Sequence, residues 1–257
     1  MFPTPGLTEA SLKTEAAEAP YTTLAFPPRE VVAMSLLLEF FDQLPPLRPG
    51  DDEDLWAAGA QDAMRSFRAA VRERYTEGTL QRLLDSADAL TRRAAVLALG
   101  LCGGMDSNAA VAARLHDDDV LVRRFASDAL WELWFRGDTA EQSLALQRAA
   151  REPNPAAARA ALDSLITHTP TFAEAHNQRA IWHFKRGEFA ASAADCETVL
   201  RLNPFHFGAA AGLGQCLLKL KKPRAALAAF RRALELNPSL DHLGDTIRDL
   251  EDALDRP

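Results

Sequence analysis

Apolar residues recur at intervals of three and four along residues 173–186, 189–202, 207–220 and 224–236, the spacing that lays a single stripe along an α-helix. The stripes are broken by Gly187-Glu188, by Asn203-Pro204 and by Lys221-Lys222-Pro223, where the proline suits a helix's first turn. Four helices in two hairpins are therefore expected. Pro170, Pro204 and Pro238 recur every 34 residues, and the last two close the strings Leu202-Asn203-Pro204 and Leu236-Asn237-Pro238. The period aligns small residues where two helices must approach closely, Ala180 with Gly214 and Ser192 with Ala226. Bulky residues such as Trp182, Phe189, Leu213 and Phe230 are expected to fill the gaps. A fixed period of this length marks stacked copies of one unit, whose product is a surface rather than a reaction centre.

A second pattern lies upstream. Leu90-Thr91-Arg92-Arg93-Ala94-Ala95 returns as Leu121-Val122-Arg123-Arg124-Phe125-Ala126 after 31 residues, and Ala98-Leu99 returns as Ala129-Leu130. Asp88 and Asp119 each stand four residues ahead of the first arginine, which suits a carboxylate at a helix start with an arginine one turn on. A looser third copy runs from Asn154-Pro155 through Arg159, Ala161 and Leu165. No segment alternates apolar and polar residues while rich in β-branched types, so no strand is expected.

Residues 170–238 resemble the tetratricopeptide repeat family, in the period, in Gly214, in Phe230 and in both Asn-Pro closures. They depart from it where His176, Arg179 and His183 occupy places the family usually gives to large apolar residues. Residues 79–169 resemble short HEAT repeats. Together the resemblances imply an all-α solenoid of helical hairpins, HEAT-like repeats continued by two tetratricopeptide units. Residues 239–257 complete it as a capping helix, with Leu243, Ile247, Leu250 and Leu254 on one stripe and acidic residues around the rest. Residues 1–28, with prolines at 3, 5, 20, 27 and 28, form a flexible acidic lead, and residues 29–78 form N-terminal helices. Helices are expected over 29–44 and from Asp54 to about Tyr75, with a Pro/Gly/Asp linker over 47–54. Because no Gly/Ser-rich linker separates residue 165 from Pro170, the last HEAT-like helix should pack directly on the first tetratricopeptide helix, making one rod.

Charge changes the picture. Residues 170–238 hold ten Arg/Lys against five Asp/Glu, a net of +5, whereas residues 1–54 hold three against ten, a net of −7. A basic body favours an acidic peptide partner, and self-contact with the acidic lead is a further expectation. In tetratricopeptide arrays the first helix of each unit lines the concave side. The resemblance therefore implies a peptide-binding groove formed by Asn177, Ile181, Phe184 and Lys185 from one unit and Ala211, Gln215, Leu218 and Lys219 from the next. The amides would bond a peptide backbone and the lysines its carboxylates. The set of lysines, asparagines and arginine by which chaperone-binding members of the family clamp a C-terminal carboxylate is largely missing.

Catalytic chemistry has little support. The six histidines include no H-x-x-x-H or H-E-x-x-H, so no metal is expected at His176 and His183. Asp117-Asp118-Asp119 lacks calcium-loop spacing and reads as a helix start, and the glycines of 100–104 lack the lysine of a phosphate loop. Trp131, Trp134 and Phe135 on one helix form either a contact patch or packing against the next repeat. The alternative class is an enzyme, since HEAT-like families include bilin lyases and DNA-alkylation glycosylases. A glycosylase would present a basic face to phosphate, and residues 55–169 hold 14 Arg against 15 Asp/Glu. A lyase would need a reactive group that the sequence does not display. The expectation is a non-catalytic adaptor or assembly scaffold with no cofactor, no nucleic acid and no membrane. Three cysteines without C-x-x-C spacing, and the absence of a signal-like start or a spanning apolar run, place it in the cytoplasm.

Overall fold

The computed structural model describes residues 36–44 and 61–255. The expected lead over 1–28, the linker over 47–54 and the Asp54 cap lie outside the described residues. Of the helix expected over 29–44, residues 36–41 are described and helical. The chain then runs through α1 (Gln61–Arg74), α2 (Glu77–Leu83), α3 (Ala89–Cys102), α4 (Asn108–Ala113), α5 (Val120–Phe135), α6 (Ala140–Arg151) and α7 (Pro155–His168). It continues through α8 (Ala173–Lys185), α9 (Phe189–Leu202), α10 (Phe207–Lys219), α11 (Pro223–Leu236) and α12 (Asp241–Asp255). Among the described residues there is no strand, and the fold is an all-α solenoid of stacked hairpins.

In the upstream repeats the second helix of each hairpin opens on a side-chain cap. Asp88 accepts from the amides of Leu90 and Thr91, Asp119 from those of Leu121 and Val122, and Asn154 from those of Ala156 and Ala157. Each cap satisfies donors that a helix start leaves open, at about 1 kcal/mol. Arg92 and Arg123 do serve their own helix starts, donating to the carbonyls of Ser86 and Ala87 and of Asp117 and Asp118, and the arginines of α3 also reach forward into the next repeat. Arg92 grips Asp117 through two hydrogen bonds of 2.8 Å, and Arg93 pairs with Asp119. A guanidinium is long enough to span the gap between stacked hairpins and meets a carboxylate there in fork geometry.

The 34-residue units repeat their turn geometry as well as their helices. Gly187 adopts φ 78° in the turn of the first, and Lys221, one period later, adopts φ 57° in the turn of the second. Gly214 is required by packing, because a Cβ there would stand 2.5 Å from the Phe230 ring. The α12 stripe buries Leu243 and Ile247 against α10 and α11, with Leu250 and Leu254 packed on the same cluster.

His176, Arg179 and His183, out of place for a packed apolar unit, form a polar seam between the two arrays. Arg179 donates to both carboxylate oxygens of Asp195 at 2.8 and 2.7 Å and to Asp163 on α7 at 2.9 Å. His183 meets Arg159 of α7 at 3.1 Å and Glu188 at 2.5 Å, and His176 Nε2 donates to the Pro170 carbonyl at 3.1 Å. Ion pairs thus add to the apolar packing of Leu162, Leu165 and Ala175 where α7, α8 and α9 meet. Burial alone would raise the Asp195 carboxyl, but the Arg179 and His176 interactions outweigh it and hold the group below the usual carboxylate range.

The α7 helix packs directly on α8, without a spacer. The array is nevertheless no straight rod, because its far end curls back onto its middle. Trp134 of α5 stacks on His206 at 3.9 Å and donates Nε1 to Asn108 at 2.8 Å. Asn108 in turn donates to Asn203, 95 positions away, at 2.9 Å. Asn237, which closes the second unit, reaches Ser127 at 3.4 Å across 110 positions. Both Asn-Pro closures therefore dock on the α4–α5 hairpin.

Candidate functional site

The curl places the C-terminal half of α5 against the first helices of the two 34-residue units. Between them lies a cleft of about 250 Å³. Its walls are the helices α8 and α10, and small residues line it on both, Ala180 on one and Gly208, Ala211 and Gly212 on the other. Gly208 is needed at this joint, because a Cβ would come 2.5 Å from the Trp131 indole. Trp131 lines the cleft from α5 and so closes it with a residue of the upstream array.

Six of the eight residues singled out by phase line this one cleft: Asn177, Ile181, Phe184, Lys185, Ala211 and Gln215. Ile181 is 39% exposed, and Lys185 and Gln215 are exposed at the rim. Asn177 is not a free amide. It is buried, and its Nδ2 donates to Glu174 Oε1 at 3.0 Å. Leu218 and Lys219 stand outside the cleft. Leu218 turns toward the apolar cluster shared by α10, α11 and α12, and Lys219 is exposed at the last residue of α10. Helix phase fixes which residues share a face of α10 but not how that face is turned against its neighbours.

Beneath the cleft sits a buried polar pair that the sequence argument did not single out. Glu174 Oε2 accepts from His206 Nε2 at 2.9 Å, and both side chains are fully buried. His206 Nδ1 accepts from the Ala209 amide at 3.0 Å and so caps α10. Glu174 also accepts from Asn177 and, at 2.6 Å, from Gln178. One carboxylate thus fixes the register of α8 against the start of α10, the two walls of the cleft. Trp131 was legible as an aromatic on a helix face, but its partner His206 lies about 75 positions on, beyond any local pattern.

Behind the cleft wall, Cys196 and Cys216 are both buried, and the Cys216 thiol donates to Ser192 Oγ at 3.1 Å. Interaction with Cys216 and burial push the Cys196 thiol up, whereas the Cys196 contact brings Cys216 down to about 7. No group of three or more His, Cys, Asp or Glu among the described residues is arranged to hold a metal ion. No helix among them is long and apolar enough to cross a membrane.

Comparison with known proteins agrees with both repeat types. A HEAT-repeat family model matches residues 76–166, and a tetratricopeptide-repeat model matches residues 209–240. A TPR repeat-containing protein of Rhizobium etli is 33% identical over 109 residues, which make up 41% of this chain. That match spans 53% of the relative's own length. Among solved structures, the first TPR of Spaghetti (RPAP3), bound to the HSP90 peptide SRMEEVD, aligns with a TM-score of 0.44 at 20% identity. The alignment covers 46% of this chain and 97% of that one.

Proposed function

Starting from a chain that joins HEAT repeats to tetratricopeptide repeats, we propose that it is a non-catalytic interaction adaptor holding an extended, acidic peptide segment in the cleft between α8 and α10. The observation that carries this reading is the convergence of Ile181, Phe184, Lys185, Ala211 and Gln215 with Trp131 on one concavity. An apolar floor with an exposed lysine and an exposed amide at its rim has the composition of a peptide site. The floor takes a side chain, Gln215 bonds the backbone and Lys185 attracts a carboxylate. The net charge of +5 over residues 170–238 favours an acidic segment over a basic one. Partner and groove would be held in a fixed register by the Glu174–His206 pair beneath. The acidic lead of the chain itself competes for the same cleft, and the site works in the cytoplasm.

The test is to pan a displayed random dodecapeptide library on the full chain and measure selected peptides by fluorescence anisotropy. Enrichment of Asp and Glu, with affinity lost on Gln215→Trp, supports the reading. Selection of basic peptides, or of peptides indifferent to Gln215→Trp, contradicts it.

A further inference from the structure

A second cleft, of about 380 Å³, opens where the α6–α7 hairpin meets α8. Most of its wall belongs to the upstream array, with Ala150 and Leu162 among the lining residues, and α8 supplies Ile181, Trp182 and Lys185, with Arg186 just past its end. Ile181 and Lys185 line this cleft and the first one alike. They lie one turn apart on the outer surface of α8, so the two concavities are separated by a ridge a single helix wide.

The second cleft is built as rigidly as the first. Trp182 donates Nε1 to the Pro155 carbonyl at 2.9 Å, and the guanidinium groups of Arg159 and Arg186 stand 5.1 and 4.8 Å from its ring. An indole held by a hydrogen bond and by cations keeps its orientation without a ligand. The cations at this edge of the second cleft are Lys185, shared with the first cleft, and Arg186, both exposed. Arg186 is 3.5 Å from the exposed Glu188, and Glu152 is the acid on the opposite side.

Resting on the function proposed above, we infer that a single extended segment crosses the Ile181–Lys185 ridge and occupies both clefts. Its chemistry is apolar, acidic, apolar: one apolar side chain enters each concavity, and a carboxylate between them meets Lys185 and Arg186. A helix with its side chains is about 10–12 Å across and an extended chain advances about 3.3 Å per residue, so the two apolar anchors stand about three or four positions apart. The upstream repeats thereby become part of the recognition surface rather than a mere support for it.

The experiment uses the full chain and the dodecapeptides selected on it. Ala150 and Gln215 are both exposed, so Ala150→Trp fills the second cleft and Gln215→Trp the first without disturbing the core. Selected peptides should carry two apolar anchors at that spacing with an acid between them. Ala150→Trp should weaken them about tenfold or more, and should have no further effect on a peptide whose second anchor is replaced by serine. Arg186→Ala, a milder change, should weaken the same peptides and spare those lacking the acid. If peptides carry one anchor, or bind Ala150→Trp as tightly as the native chain while losing affinity for Gln215→Trp, the two-cleft inference is overturned and the first cleft stands. If binding ignores both variants, or no peptide is selected, the inference falls together with the reading beneath it.

Discussion

Glu174 and His206 face each other across 2.9 Å with neither side chain reaching solvent, and the histidine's other nitrogen accepts from the Ala209 amide. Nδ1 is therefore the acceptor, and Nε2 carries the proton it donates to the carboxylate. The two residues belong to consecutive units, and His206 also stacks on Trp134 of the upstream array. Removing either partner leaves the other buried without that hydrogen bond, which costs about 1–3 kcal/mol. His206→Ala, which also uncaps α10 and unstacks Trp134, should lie at the upper end of that range and Glu174→Ala at the lower. Urea unfolding followed by circular dichroism reads the difference, and the double variant should cost less than the two singles together.

The turns offer a gain in stability. Lys221 holds the left-handed conformation that Gly187 holds one period earlier, and that conformation costs an L-residue about 1–2 kcal/mol. Lys221→Gly removes the strain but loosens the unfolded chain, so stability should rise by about 0.5–1 kcal/mol. Gly187→Ala should fall by about the same amount. Thermal midpoints of the two variants, shifted in opposite directions, check the pair.

Close helix contacts make two glycines sensitive for different reasons. Gly214→Ala drives a methyl into Phe230 inside the second unit, and Gly208→Ala drives one into Trp131 at the junction of the arrays. Each should cost about 1–3 kcal/mol. Only Gly208→Ala should also disturb the cleft, read as a change in Trp131 fluorescence that Gly214→Ala does not produce.

Acid should destabilise the chain over a defined range. The Thr91 hydroxyl beside Asp88 and the Arg93 guanidinium beside Asp119 hold both carboxyls below their ordinary value, as Arg179 does Asp195 against the effect of burial. A carboxyl lowered in the folded state contributes stability that is complete above its unfolded value, about pH 4, and is lost as pH falls toward the folded value. Urea midpoints should therefore fall steeply below about pH 4. Arg179→Met should flatten part of that fall by removing the ion pair with Asp195.

Local chemistry was legible in the sequence, and long-range closure was not. The 34-residue period placed the ends of α8 to α11 within a residue of where the helices stop, because Gly187, Pro223 and the Asn-Pro strings act on their immediate neighbours. The aspartate caps of α3 and α5 were legible for the same reason. Arg179 and its histidines looked like defects in an apolar unit, since their partners Asp163, Arg159 and Asp195 lie on other helices. Trp131 in the cleft and the Asn237–Ser127 contact depend on how the whole stack curls, a sum of small rotations at every repeat interface that no local pattern encodes.

The central claim, an acidic segment held over α8, is tested most directly by comparing two lysines that the repeat period makes equivalent. Lys185 lines the cleft and Lys219 does not, though both are exposed near the end of a unit's first helix. Anisotropy titration of a selected acidic peptide should show Lys185→Glu weakening binding about tenfold, an effect that shrinks as salt shortens the screening length below about 8 Å. Lys219→Glu should change affinity less than about twofold. Equal losses at both positions, or affinity unmoved by Lys185→Glu and by salt, would contradict the account.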